Sequence, residues 1–274
     1  MSRKRIVTLI TDFGEADHFV GAMKGVILGI NPDVTLVDIS HAISSHDIFD
    51  AAYTLAQSYR FFPPDTIHMI VVDPGVGSTR RAIVARAAGQ KFVAPDNGVL
   101  SLVYDREEDP LVYQITAEHY FLNPVSNTFH GRDIFAPVTG WLSKGIELDK
   151  LGGPITDYVK FVAPRIRTAG GGLLVGVALK IDNFGNIITN LTSADIPQLF
   201  TDNAPPFKIM INQREISRLD SSYSAGKPGE LLAVVGSSGY VEICTNRGSA
   251  AKLLNANRGT EVAIKLDGPP AGAT

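Results

Sequence analysis

Residues 6–39 read IVTLITDFGEADHFVGAMKGVILGINPDVTLVDI, and this stretch decides the fold. Its opening run, residues 6–10, is short, mostly apolar and strand-like, and it ends in the polar turn Thr11–Asp12–Phe13–Gly14. Phe19, Val20, Met23, Val26, Ile27 and Ile30 then recur at three- and four-residue spacing, the period of one helix face. Asn31–Pro32 stops that helix, because proline cannot donate the backbone hydrogen bond a continuing helix needs. Residues 35–39 read as a second strand.

Working outward, Asp47 is placed to cap a second helix whose buried face is Ile48, Ala52, Leu55, Ala56 and Tyr59. Residues 67–72 (IHMIVV) form a third strand, unbroken as a strand covered on both faces should be. Strand–helix–strand–helix–strand spells a layered α/β sheet. An N-terminal α/β domain with a mostly parallel central sheet is expected, to which residues 82–87 and 91–94 add strands and residues 132–142 a helix.

The character changes after Pro164. Residues 168–172 (TAGGG) read as linker, and beyond them residues 173–181, 187–191, 207–211, 231–235, 240–244 and 262–266 are strand-like. One short helix candidate lies near residues 249–254. The expectation is a smaller antiparallel β domain, barrel or sandwich. The domains are placed at 1–164 and 173–267, with a linker at 165–172 and a frayed Pro/Gly/Ala tail at 268–274.

The 274 residues suffice for two such cores. A net charge of −3 gives no electrostatic case for nucleic acid or an anionic membrane; the dense basic run at residues 2–5 reads as a solvated end. The longest uncharged apolar stretch, residues 173–179, is far below a membrane span. The first apolar run is too short for a signal peptide, so a cytoplasmic protein is expected. A single cysteine, Cys244, excludes an internal disulfide and a cysteine metal cluster; in its apolar run it reads as a buried structural thiol.

In an open α/β sheet, ligands sit beyond the carboxyl ends of the strands. Two strands end there in an aspartate, Asp12 and Asp73, and a third aspartate, Asp96, lies in the turn PDNG. Aspartate is an ordinary turn residue, since its side chain bonds nearby backbone N–H groups. Two at one sheet edge bring a ligand role level with the turn role. The glycines of DPGVGS do not make a phosphate loop: the Lys-Ser/Thr pair is missing, and a leading aspartate repels phosphate. A neutral or cationic ligand fits better. Arg80 or Arg81 can return to pair with Asp73, and His130 stands just ahead of the helix at 132–142. The other five histidines show no metal-ligand spacing, so no metal site is expected.

In the β domain, Asp182–Asn183–Phe184–Gly185–Asn186 reads as a hairpin turn, yet an exposed turn has no reason to carry a central phenylalanine. Ser237–Ser238–Gly239 reads as another turn, followed by Glu242, a strand carboxylate able to hold an ammonium group.

Taken together, TDFG, VDPGVGSTRR, APDNG, TFHGRDIFAP, IDNFGN and SSGYVEICTNRGSA resemble the S-adenosylmethionine hydroxide adenosyltransferase family, kin to the S-adenosylmethionine-dependent fluorinases and chlorinases. The resemblance runs from about residue 5 to residue 266 in order and spacing. It implies hydrolysis of S-adenosyl-L-methionine to adenosine and L-methionine, without metal or redox cofactor, in a homotrimer that binds its ligand between neighbouring subunits. It implies that Asp73, Arg80 and His130 activate the water, with Arg80 chosen over Arg81 by the family's spacing. It further implies that Asp12 holds the ribose hydroxyls, that Phe184 and Asn186 contact the adenosine end, and that Asp182 is among the substrate-binding residues. Ser237 and Glu242 would take the methionine carboxylate and ammonium, and Thr245 would make a contact near adenine.

The chemistry agrees. The sulfonium is a good leaving group and water a poor nucleophile toward ribose C5′, so a catalyst must hold water in line and take its proton. Either Asp73 or His130 can be the base. In the kindred halogenases the position of Asp73 is a neutral tyrosine, and an inserted loop is present that this sequence lacks. A carboxylate about 4 Å from a halide costs about 4 kcal/mol at an effective dielectric of 20, which favours water over halide. A non-catalytic sensor would keep the binding residues without the Asp73–Arg80–His130 set. A methyltransferase would need a glycine-rich first loop and an acceptor site, and neither is found.

Overall fold

A computed structural model describes residues 4–201 and 203–266. The expected tail at 268–274 and residues 2 and 3 of the basic end lie outside the described residues. The chain divides into two compact units, Met1–Val162 and Ala163–Thr274.

The first unit runs β1 (Ile6–Thr11), α1 (Phe19–Ile30), β2 (Thr35–Ser40), α2 (Ile48–Ser58), β3 (Ile67–Val71), β4 (Ala82–Ala87), β5 (Gln90–Pro95), α3 (Ser101–Tyr104), β6 (Leu111–Gln114), α4 (Ala136–Ser143) and β7 (Pro154–Ile155). The sheet order is β2-β1-β3-β5-β4-β6-β7. Successive strand residues face opposite sides. Val7, Leu9, Met69 and Val71 pack with Met23 and Ile27 of α1 and Val138 and Leu142 of α4. Ile10, Ile70 and Val72 pack on the other side with Leu55 of α2 and Val103 of α3. Both faces are covered, which is why β3 reads as one apolar run. Asp47 caps α2 through Oδ1, which accepts the Asp50 N–H at 3.0 Å.

The mostly parallel sheet expected from the sequence is corrected: the sheet is mixed. β1 pairs in parallel with β2 and β3, and β3 with β5. β4 pairs antiparallel with β5 and β6, and β6 with β7. The cause is local. Ala88 and Gly89 both take positive φ, 51° and 70°, which makes the two-residue reversal whose twist suits a hairpin. The helix expected at 132–142 is also altered. Gly131–Phe135 forms a π-helical turn that leads into α4. Pro137 has no N–H to offer the Asp133 carbonyl, which instead accepts the Leu122 N–H at 2.9 Å.

The second unit holds β8 (Arg167–Ala169), β9 (Leu173–Ile181), β10 (Ile187–Thr192), β11 (Phe207–Ile211), β12 (Arg214–Ile216), β13 (Leu219–Asp220), β14 (Leu231–Val235), β15 (Tyr240–Thr245), α5 (Ala250–Leu254) and β16 (Glu261–Leu266). β8 lies inside the stretch read as linker and pairs with the start of β9 across the glycine turn. Pairing is antiparallel except between β13 and β14. β9 pairs with β16 through its first half and with β10 through its second, and the sheet curls into a half-barrel. Ile187, Ile243, Val262 and Leu254 are among the residues that fill it. Cys244 is buried, and burial pushes its thiol up to about 12.

Candidate active site

Asp73 follows β3, and the loop after it carries Arg80 back over its carboxylate. Arg80 Nε donates to Asp73 Oδ1 at 2.9 Å, and Nη2 donates to Oδ2. Nη2 also lies 2.8 Å from His130 Nδ1, and the guanidinium stacks 5.3 Å from the centre of the Phe135 ring. The pair is nearly dry: the Asp73 and Arg80 side chains are 5% and 10% exposed. Replacing such a pair by apolar residues commonly costs nothing, so a buried ion pair calls for a reason other than stability.

Arg81, one residue on, turns away. It donates to Asp96 Oδ2 at 2.8 Å and to Asp157 Oδ1 at 2.7 Å. Asp96 also accepts the Val159 N–H at 2.8 Å. This third aspartate is a structural clasp. The loop is held by glycine: Gly77 has φ +77°, and a Cβ there would lie 2.3 Å from the Asn127 carbonyl oxygen. That close approach docks the Asp73–Arg80 loop on the segment leading to His130.

Burial, then the neighbouring Arg80 charge, holds the His130 pKa below the usual histidine range. Arginine has no acceptor, so the Arg80 contact makes Nδ1 the acceptor and puts the proton of the neutral ring on Nε2. Asp12 ends up beside this set. A cleft of about 310 Å³ is lined by Asp12, Asp73 and His130 together with Phe13, Phe19 and Phe129. The three rings pack with centroids 5.2–6.0 Å apart. Asp12 Oδ2 accepts the His46 N–H at 2.8 Å. The aromatic wall was missed from sequence, although Phe13 and Phe129 stand inside the motifs TDFG and TFHGRD.

In the second unit, Asp182 organises the β9–β10 loop. Its Oδ1 accepts the Phe184 and Asn186 N–H groups, both at 2.8 Å, and its Oδ2 accepts Asn186 Nδ2 at 2.8 Å. Gly185, at φ +86°, lies so close to Ser249 that a Cβ would meet Oγ at 2.1 Å. Phe184 is left 75% exposed. Asp182, Phe184, Asn186 and Thr245 line a cavity of about 470 Å³ with Tyr223 and Arg247. Glu242 and Ser237 lie outside that lining. Glu242 reaches it through Tyr223, whose hydroxyl donates to Oε2 at 2.7 Å; burial pushes the Glu242 carboxyl pKa up. Ser237 sits exposed in the turn between β14 and β15. Tyr223 was also missed; its signal is the one Phe184 gave, an aromatic in a polar turn, here Ser221–Ser222–Tyr223–Ser224.

Among the described residues, no three His, Cys, Asp or Glu side chains converge as metal ligands, and no helix is long and apolar enough to cross a membrane.

A family model described as the SAM hydroxide adenosyltransferase N-terminal domain matches residues 7–152, and one for the C-terminal domain of that family matches residues 176–263. A protein of Salinispora tropica named (R)-S-adenosyl-L-methionine hydrolase is 33% identical over 261 residues, covering 94% of this chain and 97% of its own. One of Methanocaldococcus jannaschii with the same name is 34% identical over 272 residues, at 94% and 95% coverage. A fluorinase of an Actinoplanes species is 25% identical over 288 residues, at 94% and 97%. A crystal structure of an uncharacterized conserved protein from Thermotoga maritima superimposes with a TM-score of 0.87 at 33% identity, covering 95% of this chain and 99% of that one.

Proposed function

The chain belongs to the SAM hydroxide adenosyltransferase family, and we propose that it hydrolyses S-adenosyl-L-methionine to adenosine and L-methionine at the Asp73–Arg80–His130 cluster. The observation that carries this reading is the desolvated Asp73–Arg80 pair joined to a His130 whose pKa is held low, beside the Asp12 cleft.

The water oxygen attacks ribose C5′ from the side opposite sulfur. The C5′–O bond forms as the C5′–S bond breaks, and its electron pair neutralises the sulfonium to the thioether of methionine. One water proton must leave. With Nδ1 taken by Arg80, neutral His130 can donate from Nε2 but has no free nitrogen to accept. Each Asp73 oxygen keeps a second lone pair beyond its bond to Arg80. Asp73 is therefore the base, and His130 and Arg80 orient it and the water. Alignment supplies several kcal/mol or more of the barrier, and a positioned base about 10²–10⁴-fold in rate. The leaving group already carries positive charge, so the chemistry asks for no metal.

Asp12 suits the ribose diol, since a carboxylate accepts two hydrogen bonds at once. Phe184 and Tyr223 offer flat faces for the purine, and Asn186 Oδ1 can accept from its amino group. Glu242 suits the ammonium of the methionine end, with Ser237 at its carboxylate and Thr245 near adenine. The homotrimer, with ligand bound between neighbouring copies, belongs to this proposal, as does a cytoplasmic site of action. So does the (R)-sulfonium epimer, which the relatives' names carry.

Chromatography after incubation with S-adenosyl-L-methionine should give adenosine and methionine in equal amounts, with heavy oxygen from labelled water at the 5′-hydroxyl. Intact substrate, methylthioadenosine, or a 5′-halogenated nucleoside formed in chloride or fluoride would overturn the reading.

A further inference from the structure

A second histidine, His41, is buried behind Asp12 and has no part in the reaction above. It follows β2, where the β1–β2 register slips between the Leu9–Asp38 and Ile10–Ser40 pairs. A bulge of this kind re-aims the strand end. The His41 side chain, 5% exposed, packs against the end of β1, and its Nδ1 lies 2.8 Å from the Thr11 hydroxyl. That hydroxyl oxygen accepts the Phe13 N–H at 3.3 Å, and the His41 carbonyl accepts the Gly14 N–H at 2.8 Å. His41 Nε2 is 2.9 Å from Asp38 Oδ1, with the carboxylate off the ring N–H axis. Lys24 Nζ holds the other Asp38 oxygen at 2.5 Å.

A carboxylate has no hydrogen to give, so His41 Nε2 carries a proton on the Asp38 side, and Nδ1 pairs with the Thr11 hydroxyl, whose oxygen keeps a lone pair for the Phe13 amide. Asp38 stays ionised: burial works to raise its pKa, but Lys24 and the His41 ring beside it leave it below the ordinary value. Both flanks of Asp12, Thr11 before it and Phe13–Gly14 after it, are therefore held by one buried residue.

We propose that His41 is the positioning residue for Asp12, aiming its carboxylate at the two ribose hydroxyls through the Thr11 hydroxyl and the Gly14 amide. This rests on the reading of Asp12 as the diol-binding group. The test is calorimetric titration with adenosine and with 2′,3′-dideoxyadenosine. Wild type should bind adenosine more tightly; no preference would overturn the Asp12 reading, and this inference with it. Given that preference, Thr11→Val and His41→Gln should each weaken adenosine about tenfold, the scale of one misaligned hydrogen bond to a charge. Both should leave dideoxyadenosine within about twofold, and Thr11→Ser should restore the preference. Equal losses for both nucleosides, or adenosine binding unchanged in folded Thr11→Val, would overturn the role of His41 alone. Thr11→Val is nearly isosteric, so it carries the test where His41→Gln does not fold.

Discussion

A histidine that accepts a hydrogen bond from an arginine has its tautomer chosen for it, and this makes the acid side of the rate profile diagnostic. Protonating His130 puts an N–H at Nδ1 against the Arg80 N–H and a second positive charge beside the guanidinium. Burial and Arg80 both hold its pKa below the ordinary 6.5. The ring is therefore neutral at pH 7, and the rate should fall only as pH drops through that lowered value, with no change from this group at higher pH. A kcat profile with a histidine midpoint at or above about 6.5 would refute the Arg80–His130 contact as the working state. Asp73→Asn isolates the proposed base. The amide is nearly isosteric but accepts a proton poorly, so kcat should fall about 10²–10⁴-fold while adenosine binding stays within about threefold. Equal kcat in the variant would remove Asp73 from the chemistry. The contacts behind these proposed roles were only partly legible in the sequence. Neighbours Arg80 and Arg81 cannot be told apart by composition; what separates them is a loop that turns one to Asp73 and the other to Asp96 and Asp157.

At the scale of elements, one polar side chain runs across the middle of the parallel strands. His68 on β3 bonds Thr8 Oγ1 of β1 at 2.7 Å and faces Gln90 Oε1 of β5 at 3.2 Å, with its ring stacked 5.0 Å from Phe92. Burial lowers its pKa to about 4. Because the folded-state value is depressed, the unfolded chain takes up a proton first as pH falls. Stability should then decline from about pH 6.5 down to about 4, by about 3 kcal/mol at the limit. In chemical denaturation across that range, His68→Asn should show a shallower slope than wild type; parallel curves would count against a neutral buried His68. The periodicity that places β3 in the core says nothing of this bond, since its partners are 60 and 22 residues away. Elements with strong periods, α1 and α2 among them, were legible for the same reason that they are buried. Strand direction was not: it turned on Ala88–Gly89, a two-residue reversal that apolar runs on either side do not announce. The π-turn before α4 was hidden too, because its cause is a proline missing one N–H and a distant amide that takes its place.

For the whole molecule, the two units carry different kinds of group. The first holds the Asp73–Arg80–His130 cluster and Asp12; the second holds the aromatic cavity of Phe184 and Tyr223. If the first does the chemistry and the second grips the purine, damage should divide accordingly. Phe184→Ala should raise KM far more than it lowers kcat, the reverse of Asp73→Asn. The same pair of variants tests the proposed sharing of substrate between neighbouring copies. In an assembly where each substrate is held by groups from two adjacent copies, every Phe184→Ala chain still offers an intact Asp73 and every Asp73→Asn chain an intact Phe184. Random mixing of the two in equal amounts then yields about a quarter of wild-type sites, and activity at low substrate should recover to that fraction. Chains that each build a complete site alone would leave every site damaged, and the mixture would stay as slow as the average of its components. Differently tagged chains confirm that copies have exchanged, and sedimentation should give three chains per particle. Full exchange without recovery would remove the shared site from the proposal and leave the hydrolysis itself standing.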